Sequence, residues 1–253
     1  MVNQFFEMLR QRQARDTLYS TADYWDYKAT TYHGEAVSLW PNNNLNHLYD
    51  QELTRKIQQL LGDFHGQTIL DLGCGMGRLS RWFVHLGALV TAIDFSIEAL
   101  KIAKNISTDS NLAYRCQSLF ELDDKGIFDI AFSSAALTVA CRNKHELLDA
   151  LTRLRESLRP GGRLLVIEPI HTGFLHRVLN MSVRDFLETM NNAGFQIQAT
   201  ASLHFWPVRL ALCYVQLPNW VTLPAYRIGQ ILMKIMGSSG LGDYTAILAT
   251  ARR

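Results

Sequence analysis

The sequence predicts an α/β protein with a mostly parallel sheet that is covered by helices on both faces. From residue 68 onward, short apolar stretches rich in β-branched residues alternate with amphipathic stretches that have helical spacing. Apolar strands of this kind are typical of a parallel sheet that is buried on both sides. The chain has 253 residues, which is enough for one large domain with a well-filled core.

The individual elements follow from local signals. The predicted strands span residues 68–72, 88–94, 112–118, 128–135, 163–169, 196–205 and 243–253. The predicted helices span residues 43–62, 77–87, 96–105, 144–162 and 182–195. Ser96 is suited to cap the third of these helices, and Gly62 is suited to end the first. A long insertion, residues 206–241, separates the last two strands, so we expect these strands to pair antiparallel.

Composition and charge exclude several function classes. The net charge of +2 is too small to indicate a nucleic-acid partner. The four cysteines form no CxxC pair and have no histidine at ligand spacing, so neither a metal site nor a disulfide framework is expected. The N-terminus has no apolar signal segment, and no uncharged apolar stretch has membrane-spanning length, so we expect a cytoplasmic protein without an integral membrane segment.

The stretch TILDLGCGMGRLS, residues 68–80, joins the first strand to a helix through a glycine-rich loop. Glycines at this place let a ligand approach the backbone closely. Gly73, Gly75 and Gly77 are spaced GxGxG, which differs from the GxGxxG fingerprint of nicotinamide cofactors and from a P-loop. Asp71 precedes the loop, and its carboxylate would repel a pyrophosphate but attract an ammonium group.

Asp94 ends the second strand, 23 residues after Asp71. An acidic side chain at this position can accept both hydroxyls of an adenosine ribose. The alternative is a purely local role in capping the following helix. Because Asp94 occurs together with the glycine loop at the correct distance, we favour ribose binding.

The motifs ILDLGCGMG, VTAIDFS, FDIAFSSAAL and LRPGGRLLVIEP resemble, in this order, the class I S-adenosylmethionine-dependent methyltransferases. They are most similar to the small-molecule methyltransferases of the quinone-biosynthesis group. The resemblance covers about residues 20–205 and the last strand. It implies a Rossmann-like seven-stranded sheet in which the last strand runs antiparallel between the fifth and sixth strands, with an N-terminal helical cap and an apolar insertion before the last strand.

The resemblance also implies that S-adenosylmethionine is the cofactor, with S-adenosylhomocysteine as its product, and that no metal is needed. The methionine moiety would contact Gly73 and Gly75, its amino group would face Asp71, and the ribose would face Asp94. The family often has an acidic residue after the third strand to meet the adenine, whereas this chain has Ser118 followed by Leu119. The full implied cofactor set is Trp25, Tyr32, Asp71, Gly73, Cys74, Gly75, Gly77, Asp94, Phe95, Ser96, Ser118, Leu119 and Ser134.

Methyl transfer from a sulfonium requires mainly alignment and exclusion of water, although a base helps when the acceptor atom carries a proton. Two histidines are candidates for this base. His171 follows the fifth strand at the edge of the sheet where ligands bind. His33 takes the place of an acidic residue in the N-terminal pattern W-D-x-x-A-x-x-Y. His204 ends the sixth strand, and Glu168 shares the placement of His171 but could only brace the strand end.

The insertion before the last strand is strongly apolar. No Asp or Glu occurs between Thr189 and Gly242, whereas Arg209, Arg227 and Lys234 do. Its second half repeats apolar residues at helical spacing. We expect a lid over an apolar substrate; a membrane-contacting surface, a homodimer interface and ordinary core packing are the alternatives.

Together these features predict a single methyltransferase domain, with residues 1–60 as cap, 61–170 as cofactor-binding core and 171–253 as substrate-side segment. The expected partner is a small, partly apolar metabolite methylated on O, N or C, and no nucleic acid. One rival is a nicotinamide-dependent oxidoreductase, which the loop spacing disfavours. The other is an inactive methyltransferase-like subunit that binds the cofactor and activates a partner protein.

Overall fold

Seven strands form one twisted sheet with helices on both faces. The structure is a computed structural model that describes residues 14–31, 40, 42–236 and 240–252. The strands lie in the order β3-β2-β1-β4-β5-β7-β6, as the family resemblance implies. They are β1 (Thr68–Leu72), β2 (Leu89–Asp94), β3 (Leu112–Cys116), β4 (Phe128–Ser134), β5 (Leu158–Glu168), β6 (Phe195–Phe205) and β7 (Gly242–Ala251).

The register of the strands brings the candidate site residues to one edge of the sheet. Strand β1 pairs in parallel with β2 and with β4, and β4 pairs in parallel with β5. Strand β7 is antiparallel to both β5 and β6, which confirms the expected antiparallel pairing. One edge of the sheet therefore holds the carboxyl ends of β1, β2, β4, β5 and β6 and the start of β7. Open α/β sheets bind ligands at this edge.

The helices connect and cover these strands. In chain order they are α1 (Arg15–Leu18), α2 (Ala22–Thr31), α3 (Asn43–Leu61), α4 (Arg78–His85), α5 (Ile97–Ile106), α6 (Leu137–Ala140), α7 (Lys144–Ser157), α8 (Val183–Asn192), α9 (Trp206–Leu212) and α10 (Asn219–Met236). Two apolar cores separate the helices from the sheet. On one face Ile69 packs with Ile57 and Phe83; on the other, Leu70 packs with residues of α7 and α8.

The largest departure from the predicted boundaries lies between α7 and β5. The helix expected over residues 144–162 ends at Ser157, and the chain enters β5 at Leu158, which pairs with Phe128. Pro160 explains the early end, because proline lacks an N–H and disfavours helical conformation in the residue before it. The pairing resumes at Arg163 after an irregularity in the register, so the residues between belong to a distorted start of the strand.

The insertion folds into two helices, α9 and α10. Ordinary core packing would bury the apolar stripe of α10, but the helix buries a different face. Its inward residues include Tyr226 and Met233, whereas Ile231, Leu232, Ile235 and Met236 are exposed to solvent. The inward face packs on α3, on β6 and on α9. Helical spacing identified the helix correctly, but it could not distinguish its two apolar sides.

Among the described residues, no helix has both the length and the hydropathy that are needed to cross a membrane.

Asn42 joins the start of α3 to the insertion. Its side-chain oxygen accepts a hydrogen bond from the Leu45 N–H at 3.1 Å, and its amide donates to the Leu212 carbonyl at 3.1 Å. Asn42 is completely buried, so loss of this side chain leaves buried polar groups without partners.

We predict that Asn42→Ala lowers the free energy of unfolding by about 2 kcal/mol, as the loss of a helix cap plus a buried hydrogen bond. The control is Asn143→Ala, at the exposed N-cap of α7, where the capping bonds and one exposed hydrogen bond to Glu146 are lost and about 1 kcal/mol is expected. Urea denaturation measures both values. Equal losses in the two variants would contradict the role of Asn42 as a link between α3 and the insertion.

Candidate active site

The glycine loop between β1 and α4 forms one wall of a cavity. Gly73 and Gly75 adopt φ values of +67° and +54°, which residues with a Cβ rarely adopt. A Cβ on Gly73 would overlap with the side chain of Ala136, whereas a Cβ on Gly75 would meet no atom within 4 Å. Gly73 is therefore required for packing within the protein, and Gly75 borders open space that a ligand can enter.

Asp71 lies beneath this loop at the end of β1. It is almost fully buried, and its Oδ2 accepts a hydrogen bond from Ser80 Oγ at 2.5 Å. Burial raises the pKa of this carboxyl group to about 6, although the hydrogen bond from Ser80 acts in the opposite direction. A buried carboxylate in this position is stabilised when a ligand brings a positive charge to it.

Asp94 supports the glycine loop from the end of β2. Its Oδ2 accepts a hydrogen bond from the Gly75 N–H at 2.8 Å, and its Oδ1 accepts one from the Ser96 N–H at 2.8 Å. Burial raises the pKa of Asp94, while these backbone hydrogen bonds lower it. Because each carboxylate oxygen has two lone pairs, both oxygens can still accept a ligand hydroxyl.

The N-terminal helix α2 is attached across the cavity by partly buried hydrogen bonds of Asp26. Ser96 Oγ caps α5 by accepting from the Ala99 N–H and donates to Asp26 Oδ1 at 2.6 Å. Asp26 Oδ1 also accepts from the Glu98 N–H at 3.1 Å. These bonds hold α2 over the cavity, where Trp25 forms part of its wall.

The loop after β4 is held by the buried carboxylate of Glu168 at the end of β5. Oε1 accepts hydrogen bonds from Ser133 Oγ at 2.7 Å and from the N–H groups of Ala136 and Leu137. Oε2 accepts from both the N–H and the hydroxyl of Thr138. The sequence left open whether Glu168 is a site residue or a brace; these contacts make it a brace, and burial raises its pKa.

A cluster of rings closes the other end of the cavity. His204, at the end of β6, stacks on Tyr49 with ring centroids 3.6 Å apart and an interplanar angle of 13°. Its Nδ1 is 2.9 Å from Tyr226 Oη, and the ring of Tyr244 meets it edge-on. Burial lowers the pKa of His204 to about 3, so this side chain is neutral at neutral pH.

His204 also has an unusual backbone. Its φ of +57° is left-handed, and the only other described non-glycine residue with a positive φ is Ala135, in the loop held by Glu168. Such conformations cost about 1–3 kcal/mol and persist where the surrounding structure enforces them, often at functional sites. Both residues line the cavity, Ala135 directly after β4 and His204 at the end of β6.

A buried ion pair lies behind the ring cluster. Arg209 Nε is 2.7 Å from Asp243 Oδ2, and Tyr49 Oη donates to the same oxygen at 3.2 Å. His171 Nε2 donates to the backbone carbonyl of Asp243 at 2.9 Å. Burial is the main cause that lowers the pKa of His171. His171 therefore supports the start of β7 and does not line the cavity.

The cavity has a volume of about 380 Å³. Of the residues expected at a cofactor site, it is lined by Trp25, Asp71, Gly73, Cys74, Gly75, Asp94, Phe95, Ser96, Leu119 and Ser134. Gly77 instead packs against Tyr114, and Ser118 caps the short helical turn after β3 in a reciprocal pair with Glu121. Tyr32 and His33 lie outside the described residues.

Sequence reasoning missed several residues of the cavity wall. Gln117 follows β3 one position before the serine that was expected there, and Arg177 comes from the segment after β5. Tyr49 and Tyr244 were not recognised because apolar spacing assigned them to a helix core and to a strand. Within the described residues, no three His, Cys, Asp or Glu side chains lie close enough to hold a metal ion.

The chain is similar in sequence to known methyltransferases. Residues 69–162 match a family model described as a methyltransferase domain. The chain is 32% identical over 128 residues to a demethylmenaquinone methyltransferase of Tropheryma whipplei, which covers 50% of this chain and 52% of that protein. It is 29% identical over 172 residues to a ubiquinone biosynthesis O-methyltransferase of Xanthomonas euvesicatoria, with 57% and 69% covered. The chain thus spans about half the length of the first of these relatives.

The fold also matches solved structures. An S-adenosylmethionine-dependent methyltransferase from Mesorhizobium loti superposes with a TM-score of 0.59 at 19% identity, covering 78% of this chain and 96% of that one. At this level of identity the likeness concerns the fold alone. The matches in sequence confirm the resemblance to class I methyltransferases of the quinone-biosynthesis group that the motifs indicated, and the superposition confirms the fold.

We predict that Glu168→Gln lowers the free energy of unfolding by about 3 kcal/mol, because the new amide would place N–H groups against backbone donors in a buried site. Urea denaturation measures the change. The matched control is Glu188→Gln, which removes an exposed carboxylate paired with Lys144 and should change stability by less than about 0.5 kcal/mol. A Glu168→Gln variant as stable as this control would contradict the bracing role.

Proposed function

The chain is similar in sequence and in fold to class I S-adenosylmethionine-dependent methyltransferases, and we propose that it transfers a methyl group from this cofactor to an O, N or C atom of a small, partly apolar acceptor. One observation carries the proposal: a single cavity joins a carboxylate-lined end, with Asp71 and Asp94, to an aromatic end around His204. Two ligands can therefore meet within one cavity.

The carboxylate-lined end fits the cofactor. Asp94 can accept the ribose hydroxyls through the lone pairs that Gly75 and Ser96 leave free. The open space at Gly75 admits the nucleoside close to the backbone. Buried Asp71 offers a negative charge to the ammonium group, and a phosphate would be repelled there. S-adenosylmethionine supplies a sulfonium-bound methyl group that is already activated for displacement.

The aromatic end suits an acceptor with an apolar or planar part. Tyr49, Tyr244 and Trp40 contribute ring surfaces, and Arg177 adds a positive charge at the wall. His204 Nε2 has no hydrogen-bond partner among the described residues, while Nδ1 is occupied by Tyr226. Because the imidazole is neutral, it would orient the acceptor atom through a hydrogen bond and would not pair with it as an ion.

The remaining protein groups supply alignment and exclusion of water. Helix α2 is held over the cavity through Asp26 and Ser96, and Trp25 closes part of the wall. The loop held by Glu168 fixes Ala135 and Ser134 between the two ends of the cavity. Alignment of this kind can supply a large share of the rate enhancement of an in-line displacement, so a strong base is not required.

The direct test follows a labelled methyl group. Purified protein is incubated with methyl-labelled S-adenosylmethionine and fractionated cell extract, and aqueous and organic phases are analysed. The proposal predicts a labelled organic-phase product that is lost in Asp94→Ala, in parallel with weaker S-adenosylhomocysteine binding in calorimetry. Tight binding without any transfer would support the inactive-subunit alternative, and binding of NADH in place of S-adenosylhomocysteine would support the oxidoreductase.

The raised pKa of Asp71 predicts that cofactor affinity depends on pH. Below a pH of about 6 the carboxyl group is protonated and cannot attract an ammonium group, whereas above it the carboxylate is charged. We expect affinity for S-adenosylhomocysteine to increase about tenfold between a pH of about 5 and a pH of about 7, with proton release on binding. Calorimetry over this range measures the effect.

Two controls isolate the contribution of Asp71. Asp71→Asn should remove most of the pH dependence. 5′-Methylthioadenosine keeps the nucleoside but lacks the amino group, so its affinity for the unmodified protein should change little over the same range. A similar pH dependence for both ligands would contradict the pairing of Asp71 with the ammonium group.

His204→Asn tests the acceptor end of the cavity. Asparagine tolerates left-handed backbone better than most residues, so the strand end should keep its conformation. We expect kcat/KM for the acceptor identified in the extract to decrease at least tenfold, as for a lost orienting hydrogen bond. S-adenosylhomocysteine binding should stay within about twofold. His145→Asn, at an exposed histidine on α7, is the control and should leave both quantities unchanged.

A further inference from the structure

Helix α10 exposes an apolar surface on the side that faces away from the protein. Trp220 is 79% exposed and Ile235 is 75% exposed, and the residues between them on the same side are exposed as well. The outer apolar surface is defined by Trp220, Ile228, Ile231, Leu232, Ile235 and Met236. An apolar patch of this kind on a protein surface indicates an interaction site.

The orientation of α10 is fixed by its inner face. A Cβ on Gly229 would lie 2.9 Å from Val208 Cγ2 and 3.0 Å from Phe205 Cβ, so the helix approaches the end of β6 at this residue. Tyr226 is buried on the same face and is hydrogen-bonded to His204. A rotation of the helix that buried Ile231 or Ile235 would break these contacts. The outer apolar surface is therefore held toward solvent.

The charges that accompany this surface all have one sign. Arg227 and Lys234 are exposed, lie seven residues apart and so occupy the same flank of the helix. Neither forms an ion pair with any acidic residue in the described part of the chain. No Asp or Glu occurs anywhere between Thr189 and Gly242. The surface thus combines apolar side chains, an exposed tryptophan and two unpaired cations.

We propose that α10 docks on an anionic phospholipid surface, with its axis parallel to that surface. Apolar side chains that enter the headgroup region beside cations that face lipid phosphates are the features of an interfacial helix. Trp220 suits the boundary between lipid and water, since its ring is apolar and its N–H can donate a hydrogen bond. Symmetric pairing with a second copy would bring Arg227 and Lys234 of both copies together without a compensating carboxylate from this segment.

The test is co-sedimentation of the full chain with vesicles of phosphatidylcholine and phosphatidylglycerol, compared with vesicles of phosphatidylcholine alone. We expect binding to the anionic vesicles that decreases with salt. Arg227→Gln with Lys234→Gln should weaken it about thirtyfold, from the contribution of each cation near an anionic surface. Ile231→Glu with Ile235→Glu should weaken it at least tenfold. Tryptophan fluorescence should shift to shorter wavelength on binding, and Trp220→Phe should remove most of the shift.

Matched controls separate docking from folding and from the proposed enzymatic function. Ile106→Glu with Ile127→Glu places the same charges at exposed isoleucines on other elements and should leave vesicle binding unchanged. All variants should keep the melting temperature and the S-adenosylhomocysteine affinity of the unmodified chain. Absence of binding to anionic vesicles would overturn the proposal. So would a dimer in light scattering that Ile231→Glu dissociates, because α10 would then contact a second copy.

Discussion

The buried carboxylate of Glu168 is the interaction on which the site most depends. A carboxylate that is buried away from water is unfavourable unless it accepts hydrogen bonds. The two oxygens of Glu168 together accept hydrogen bonds from four residues, Ser133, Ala136, Leu137 and Thr138. These bonds determine where the chain leaves β4. They also set the position of Ala136, against which Gly73 packs so closely that no side chain is possible there. The glycine loop, and through it the hydrogen bond from Gly75 to Asp94, therefore depends on a residue from another strand.

The cavity is bordered on both sides by backbone that is costly to form. Ala135 and His204 hold left-handed conformations that neither residue type favours. Ala135 is held by the loop that Glu168 fixes, and His204 is held by its stacking on Tyr49 and its bond to Tyr226. The same contacts that enforce these conformations present Ala135 and His204 to the cavity. Strain and site geometry thus have a common cause.

Much of the fold and of the cofactor end could be predicted from the sequence. Asp71, the glycines and Asp94 lie at strand ends, and parallel strands bring such ends together whatever the detailed packing. The aromatic end could not be predicted, because Tyr49 and His204 are far apart in the chain and meet only when α3 packs beside β6. Histidine adopts a left-handed backbone more often than most residues do, but this preference is too weak to identify the conformation of His204 from the sequence. Periodicity likewise predicted a helix in the insertion without showing that its outward side would be apolar.

The insertion links the surface of the protein to the cavity through one side chain. Tyr226 lies on the inner face of α10 and contacts His204 on the cavity wall, while the outer apolar surface lies on the opposite side of the same helix and faces solvent. In the proposed reaction this arrangement would bring the acceptor end of the cavity close to a lipid surface, from which an apolar acceptor could enter. Among the described residues of the insertion none lines the cavity, so the expected lid is replaced by a proposal in which the inner face of α10 supports His204 from behind and the outer face contacts lipid.

The binding mode proposed for the cofactor can be seen in a crystal structure of the chain in complex with S-adenosylhomocysteine. We expect the ribose hydroxyls to lie within hydrogen-bond distance of Asp94 and the amino group to lie on the Asp71 side of the glycine loop. The sulfur atom should point toward His204 and Tyr244. A ligand bound outside the cavity would contradict this binding mode. So would a nucleoside whose ribose is turned away from Asp94, or a sulfur atom directed away from the aromatic end.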